Sequence, residues 1–126
     1  MTGYQKYTEL DVWKQARQLA SFIYQLTASF PKSEQFGLVS QMRRCVVSVP
    51  SNIAEGCGRQ HVKEAIQFLN IARGSLFELE TQIYISKDLN FISEHQLTNS
   101  LEQIENLGKL INGYIRFQRS KLNDLQ

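Results

Sequence analysis

The sequence predicts an all-α fold: an up-down-up-down antiparallel four-helix bundle forming one domain over residues 1–126. Three observations carry that expectation. Apolar residues recur at three- and four-residue spacings along four long stretches, as the buried side of a helix requires. The breaks between those stretches are short and hold proline, glycine or a capping pair. No stretch alternates apolar with polar residues, and no hairpin turn pair competes. Four long helices joined by a few residues each must run antiparallel to their sequence neighbours.

Residues 1–7 read as a loose amino-terminal arm that docks through Tyr4 or Tyr7. Thr8 and Asp11 stand at capping-box spacing and start the first helix, whose core stripe is Val12, Ala16, Leu19, Ala20, Ile23, Thr27 and Phe30. Trp13, Arg17 and Tyr24 form a second, amphipathic shoulder. Phe30-Pro31 stops this helix, because a residue before proline is pushed out of helical geometry.

The second helix is capped by Ser33 and runs to about Glu55, with Leu38, Val39, Met42, Cys45, Val46, Val49 and Ile53 on its core side. Pro50 removes the amide that would bond the Val46 carbonyl, so a bend is expected there. Its other side collects Gly37, Ser40, Gln41, Arg44, Ser48, Ser51, Asn52 and Glu55. Solvated helix faces favour Lys, Glu and Gln over Ser and Asn, so this stripe is read as a close-approach surface. Arg44 and Glu55 lie roughly 16 Å apart along the axis, too far to pair within one chain. Gly56, Cys57 and Gly58 then close the helix, with glycine taking the left-handed conformation.

The third helix runs from about His61 to Leu89 over a core of Val62, Ala65, Phe68, Leu69, Ala72, Leu76, Leu79, Ile83 and Ser86. Ile66, Arg73, Phe77 and Tyr84 give it a shoulder, Gly74 makes room for a neighbour, and Asn90 ends it. Ser93 with Gln96 is a capping box for the fourth helix, which buries Leu97, Leu101, Ile104, Gly108, Ile111, Ile115 and Leu122. Leu107, Leu110, Tyr114 and Phe117 widen that face, and residues 120–126 form a frayed tail.

Apolar residues make up 42% of the chain and charged residues 21%, ordinary values for a single globular domain. Fourteen Lys and Arg against twelve Asp and Glu leave a formal charge of +2, so any basic patch must be local. No apolar run is long enough to span a membrane and no signal-peptide pattern opens the chain, so a cytoplasmic location without membrane contact is expected. Cys45 and Cys57 are spaced along one helix and read as thiols, not a disulfide.

No catalytic constellation stands out, and the chain is expected not to be an enzyme. Glu78 and Glu80 point to different sides of their helix, unlike a di-iron set. Cys57 and His61 share a four-residue spacing, but Cys45 and His95 do not complete a ligand set, so neither metal nor cofactor is expected. Gly56-Cys57-Gly58-Arg59 lacks the length and lysine of a phosphate loop and reads as an inter-helix turn. Arg43, Arg44, Arg59, Lys63 and Arg73 are the candidate nucleic-acid contacts, with salt bridges to Glu55, Glu64, Glu78 or Glu80 as the competing assignment. The candidate subunit interface comprises Trp13, Tyr24, Gln41, Arg44, Ser48, Asn52, Glu55, Phe77 and Tyr84, with Arg44 of one copy facing Glu55 of the next.

Four phrases, LDVWKQARQLA (10–20), FPKSEQFGLVSQMRR (30–44), SVPSNIAEGCGR (48–59) and FLNIARGSLFELETQ (68–82), resemble the four-helix-bundle family labelled S23 ribosomal protein or 23S rRNA intervening-sequence protein. The departures are slight: Cys57 stands where a small residue is usual, and residues 60–62 vary. The resemblance implies a homopentameric ring. It also implies kinship with retroelement accessory proteins that hold RNA and a reverse transcriptase on a basic surface. Two functions follow as expectations: an oligomeric RNA- or DNA-binding accessory protein, or a protein-interaction scaffold that binds no nucleic acid.

Overall fold

The computed structural model describes residues 6–124. Its helices are α1 (Asp11–Thr27), α2 (Leu38–Cys57), α3 (Val62–Asp88) and α4 (Glu94–Asp124), with no strand among the described residues. Each helix packs on its sequence neighbours, and α4 closes onto α1. The backbones of the diagonal pairs α1/α3 and α2/α4 do not approach one another. That is the up-down-up-down bundle expected from short connections.

The predicted core periodicities meet on the bundle axis. Leu19 and Ile23 of α1, Met42, Val49 and Ile53 of α2, Leu69, Leu76 and Ile83 of α3, and Leu107 and Ile111 of α4 are all sealed from solvent. Ala20, Leu38, Val62, Phe68, Leu97 and Leu101 are half-buried at the margins instead of fully enclosed. Buried hydroxyls are satisfied on their own helices: Thr27 Oγ1 donates to Ile23 O at 2.7 Å, Ser86 Oγ to Gln82 O at 2.8 Å and Ser100 Oγ to Gln96 O at 2.6 Å.

Helix ends divide into those whose local chemistry decided them and those overridden by packing. Ser93 N–H donates to Gln96 Oε1 at 2.8 Å while Gln96 N–H donates to Ser93 Oγ at 3.1 Å, the reciprocal pair of a capping box. Asn90 takes φ 62°, and Phe91 N–H reaches back to Ser86 O at 2.9 Å, closing α3. The Thr8–Asp11 box does not form, because residues Tyr7–Glu9 make a 3₁₀ turn and Leu10 becomes the N-cap without a side-chain bond. Tyr7 of the arm docks edge-on against Trp13, with ring centroids 5.3 Å apart. Tyr4 lies outside the described residues.

Ser33 is likewise drawn into a 3₁₀ turn, Lys32–Glu34, and caps nothing; Glu34 Oε1 instead accepts Leu38 N–H at 3.2 Å. A carboxylate there also favours the positive end of the α2 dipole. α2 stays helical through Pro50 to Cys57. Around the missing amide, Ser48 Oγ, Ser51 Oγ and Asn52 Nδ2 donate to the carbonyls of Cys45, Val47 and Ser48 at 2.8, 2.9 and 2.8 Å. α4 remains regular past Ser120 to Asp124, where fraying was expected; residues 125–126 lie outside the description.

The glycines at the α2–α3 connection act by size. Gly58 has φ −83°, and no described glycine has a positive φ, against the left-handed closure expected there. Gly56 is buried within α2, and a Cβ on it would lie 3.0 Å from Ala65 O and 3.3 Å from Phe68 Cβ. Gly74 is the opposite case, with nothing within 4 Å of a Cβ placed there. Gly56→Val should therefore cost about 1–3 kcal/mol through overpacking, whereas Gly74→Ala should add about 1 kcal/mol through helix propensity. Urea unfolding of both variants checks the opposite signs.

Candidate nucleic-acid interface

The five basic residues singled out from sequence do not converge. Arg43 is committed to the end of α1: its Nε donates to Thr27 Oγ1 at 3.0 Å, its guanidinium to Tyr24 O at 3.2 Å, and it covers the Tyr24 ring at 4.6 Å. A cation at a helix carboxyl terminus is favoured by the dipole as well as by the bonds, so Arg43 staples α2 to α1. Arg59 bonds Glu55 at 2.8 Å and lies over Phe68 at 4.5 Å. Glu55, expected opposite Arg44 of a neighbouring copy, thus has a partner in its own chain. Arg44 is exposed in a cleft between α2 and α3, and Lys63 is exposed in the first turn of α3.

Arg73 is the pivot of a different surface. Its two terminal nitrogens donate to Asn112 Oδ1 of α4 at 2.9 Å and to Asn70 Oδ1 at 3.0 Å, tying α3 to α4 on their outer side. Helical register extends that face. Lys63 stands seven residues before Asn70, while Arg116 and Arg119 follow Asn112 by four and seven. Phe117, 54% exposed, stacks on Tyr114 and is capped by Lys121 Nζ at 4.9 Å.

No acidic residue occurs between Glu64 and Glu78 on α3, or between Glu105 and Asp124 on α4. The half of the α3–α4 pair nearest the α2–α3 turn is therefore cationic, although net charge is only +2. Sequence reasoning missed Arg116, Arg119 and Lys121, because α4 was read for its apolar period alone; the signal was the acid-free run IRFQRSK (115–121).

The candidate interface residues are also dispersed. Trp13 is half-buried under Tyr7 and Arg17, and Tyr24 lies beneath Arg43. Ser48 Oγ bonds Ser75 Oγ of α3 at 2.6 Å, and Asn52 Nδ2 donates to Ser48 O of its own helix. Gln41 and Arg44 line the α2–α3 cleft, whereas Phe77 and Tyr84 line a groove of about 440 Å³ between α3 and α4. Ile71, Phe77, Tyr84, Ile85 and Leu89 are all at least 42% exposed, leaving α3 apolar on both shoulders.

Cys45 and Cys57 form no disulfide. Burial, reinforced by the nearby Glu78 carboxylate, pushes the Cys45 thiol from 9.0 up to about 12, and its Sγ donates to Ser75 O at 2.9 Å. It is a packing thiol, not a nucleophile. Burial and the neighbouring Cys57 likewise push Tyr114 from 10.0 up to about 12. No group of three or more His, Cys, Asp or Glu side chains among the described residues could hold a metal. No described helix is long and apolar enough to cross a membrane.

Fold and surface together define a four-helix bundle with segregated charge. The chain belongs to the 23S rRNA-intervening sequence protein family, whose model matches residues 8–113. It is also similar to the crystal structure of a protein of unknown function from the S23 ribosomal protein family of Bacteroides thetaiotaomicron VPI-5482. That likeness has a TM-score of 0.74 at 22% identity, covering 82% of this chain and 97% of the other. No curated protein matches the chain.

The raised pKa values set an alkaline limit. Folded-state values above the unfolded ones mean full stability below pH 9.0–10.0 and loss as pH rises toward about 12. Tyr114→Phe removes one of these two ionisations, so its urea midpoint should fall less than wild type between pH 9.0 and about 12; equilibrium unfolding across that range tests it.

Proposed function

We propose that this protein is a non-enzymatic RNA-binding bundle that works as a self-associated assembly. The observation that carries the reading is the acid-free cationic face of α3 and α4, where Arg73, Arg116 and Arg119 share a surface with the asparagine pair. Guanidinium groups bind phosphates in bidentate fashion, Asn70 and Asn112 add polar groups, and Phe117 offers an exposed ring for a base. The family description, which concerns an RNA insertion, agrees with RNA over DNA as the polyanion.

Self-association is supported by the two apolar shoulders of α3, since a lone bundle gains nothing by exposing Ile71, Phe77, Tyr84, Ile85 and Leu89 together. The family resemblance suggests a closed ring of five, in which one patch meets a different patch on the next copy. A reverse transcriptase is the protein partner that the resemblance suggests. The cytoplasm, where RNA is available, is the compartment this role requires.

Gel-shift titration with structured RNA and duplex DNA at two salt concentrations tests the proposal. The reading expects RNA retention that falls steeply with salt. Arg116→Glu with Arg119→Glu should weaken it by about tenfold or more and flatten the salt slope by roughly 2. Arg43→Ala should lower stability without that change in slope. Absence of any shift at low salt would replace the RNA reading with a protein scaffold. Sedimentation of Phe77→Glu with Tyr84→Glu, expected to give smaller species than wild type, tests the assembly separately.

A further inference from the structure

The groove between α3 and α4 has apolar walls and a side chain missing from its lining. Phe77 and Tyr84 of α3, 60% and 50% exposed, share it with Leu76, Leu101 and Ile104. Gly108 of α4 completes it. A Cβ on Gly108 would meet only Leu76 Cδ2, at an ordinary 3.7 Å, so no contact within the chain calls for glycine there. Glycine inside a helix weakens it, and what this one supplies is depth in the groove. Charge narrows the choice of occupant. Lys109 pairs with Glu105 at 3.5 Å, which leaves Glu80 as the lining acid without an ion pair among the described residues. The groove therefore suits a bulky apolar group with a cation beside it.

The chain carries such a pair on another side. Among the exposed aromatic residues outside the groove, Tyr7 meets Trp13, Tyr24 lies under Arg43, and Phe117 is held between Tyr114 and Lys121. Phe36, 92% exposed, meets no ring or cation of the described residues. Its turn is ordered: Gln35 N–H donates to Lys32 O at 3.1 Å, Gly37 N–H to Glu34 O at 3.0 Å, and Leu38 N–H to Glu34 Oε1 at 3.2 Å. A bare ring on a hydrogen-bonded turn is an anchor that loses little freedom on docking, and aromatic residues are enriched at interfaces. Phe36 and Arg44 border the α2–α3 cleft, on the other side of α3 from the groove, so the ring does not enter the groove of its own chain.

We propose that the α3–α4 groove receives Phe36 of a second copy, with the ring over Gly108 and Arg44 bonding Glu80 of the partner subunit. This rests on the self-association reading and names the two patches that meet. Arg44 follows Phe36 by about 12 Å of α2, and Glu80 follows Leu76, the neighbour of Gly108, by about 6 Å of α3; the long arginine side chain spans the difference. Arg44 makes no ion pair among the described residues, and Glu78 lines its own cleft. A guanidinium has five donors, so the cation can stand between Glu78 and the partner subunit's Glu80 and offset their repulsion. Ring and groove lie on different sides of each copy, and such a contact repeats from copy to copy until it closes.

Sedimentation equilibrium of the full chain and its variants is the test. Phe36→Ala should weaken association by about 30-fold or more, the threshold of a dominant interface residue. Gly108→Gln should weaken it as much, while its urea midpoint, taken at a dilution where both proteins are monomeric, stays at or above that of wild type. Mixed in equal amounts, these two variants should form a one-to-one pair and grow no further, since one keeps the groove and the other keeps the ring. Arg44→Glu and Glu80→Arg should each weaken association by about tenfold, and the two together should restore it. Phe36 is exposed, so its variant tests the contact even if Gly108→Gln proves unstable.

Association lost in Gly108→Gln but unchanged in Phe36→Ala would overturn the Phe36 assignment and give the groove to another surface of the second copy. Association unchanged in both, or a mixture that forms no pair, would overturn the contact and leave self-association to other faces. A double charge exchange no tighter than either single change would overturn the Arg44–Glu80 bond. Wild type that stays monomeric at every concentration would bring down the self-association reading itself.

Discussion

The close approach of α2 to α3 constrains the rest of the structure. At one end Gly56 is tight against Ala65 O and Phe68. In the middle Ser48 Oγ meets Ser75 Oγ at 2.6 Å, and Cys45 Sγ reaches Ser75 O at 2.9 Å. Hydrogen bonds between such short side chains require the two backbones to lie near each other, and protein interiors transmit strain instead of absorbing it. So narrow a seam leaves no room for large side chains. Val47, Ile71 and Ile85 stand outside, and Gln82 takes a buried position where a fully apolar side chain would be expected.

Much of this was legible in sequence where the deciding forces are local. Apolar periodicity located the helices, and the Ser93–Gln96 pair and Asn90 marked their ends, because both caps act within a few residues. Thr8 and Ser33 had suitable chemistry too, but each lies within a 3₁₀ turn, Tyr7–Glu9 or Lys32–Glu34, and neither becomes an N-cap. Gly56 and Gly58 looked like helix-closing glycines, since turn and close-contact glycines are identical in a string of letters. Only the position of Ala65 and Phe68 separates the two roles.

The small polar stripe of α2 has partners in its own chain that a helical wheel does not show. Ser48, Ser51 and Asn52 suggested a surface cleared for another chain; within this chain their side chains donate to carbonyls of their own helix around Pro50, and Ser48 Oγ also meets Ser75 Oγ of α3. Such back-bonding offers the backbone a local alternative partner. It explains why residues of poor helix propensity collect beside a proline that α2 accommodates. The unmet polar demand on this side of the bundle lies one helix over, at Gln82, whose position in the seam no helical wheel of α2 could reveal.

Arginines are the least legible residues, because their function depends on what neutralises them. Arg59 is paired with a carboxylate, so much of its field is cancelled before an anion arrives. Arg43 is held by a carbonyl, a hydroxyl and a ring at the end of α1, where letting go would unfasten two helices. Arg73 is also held, but by two neutral amide oxygens. Neutral acceptors orient a guanidinium without removing its charge. Its side-chain entropy is thus largely surrendered on folding, and less remains to be lost when an anion binds. An ordered cation between Asn70 and Asn112, on stretches of α3 and α4 that hold no acid between Glu64 and Glu78 or between Glu105 and Asp124, is consequently better placed to grip a phosphate than a freely moving surface arginine.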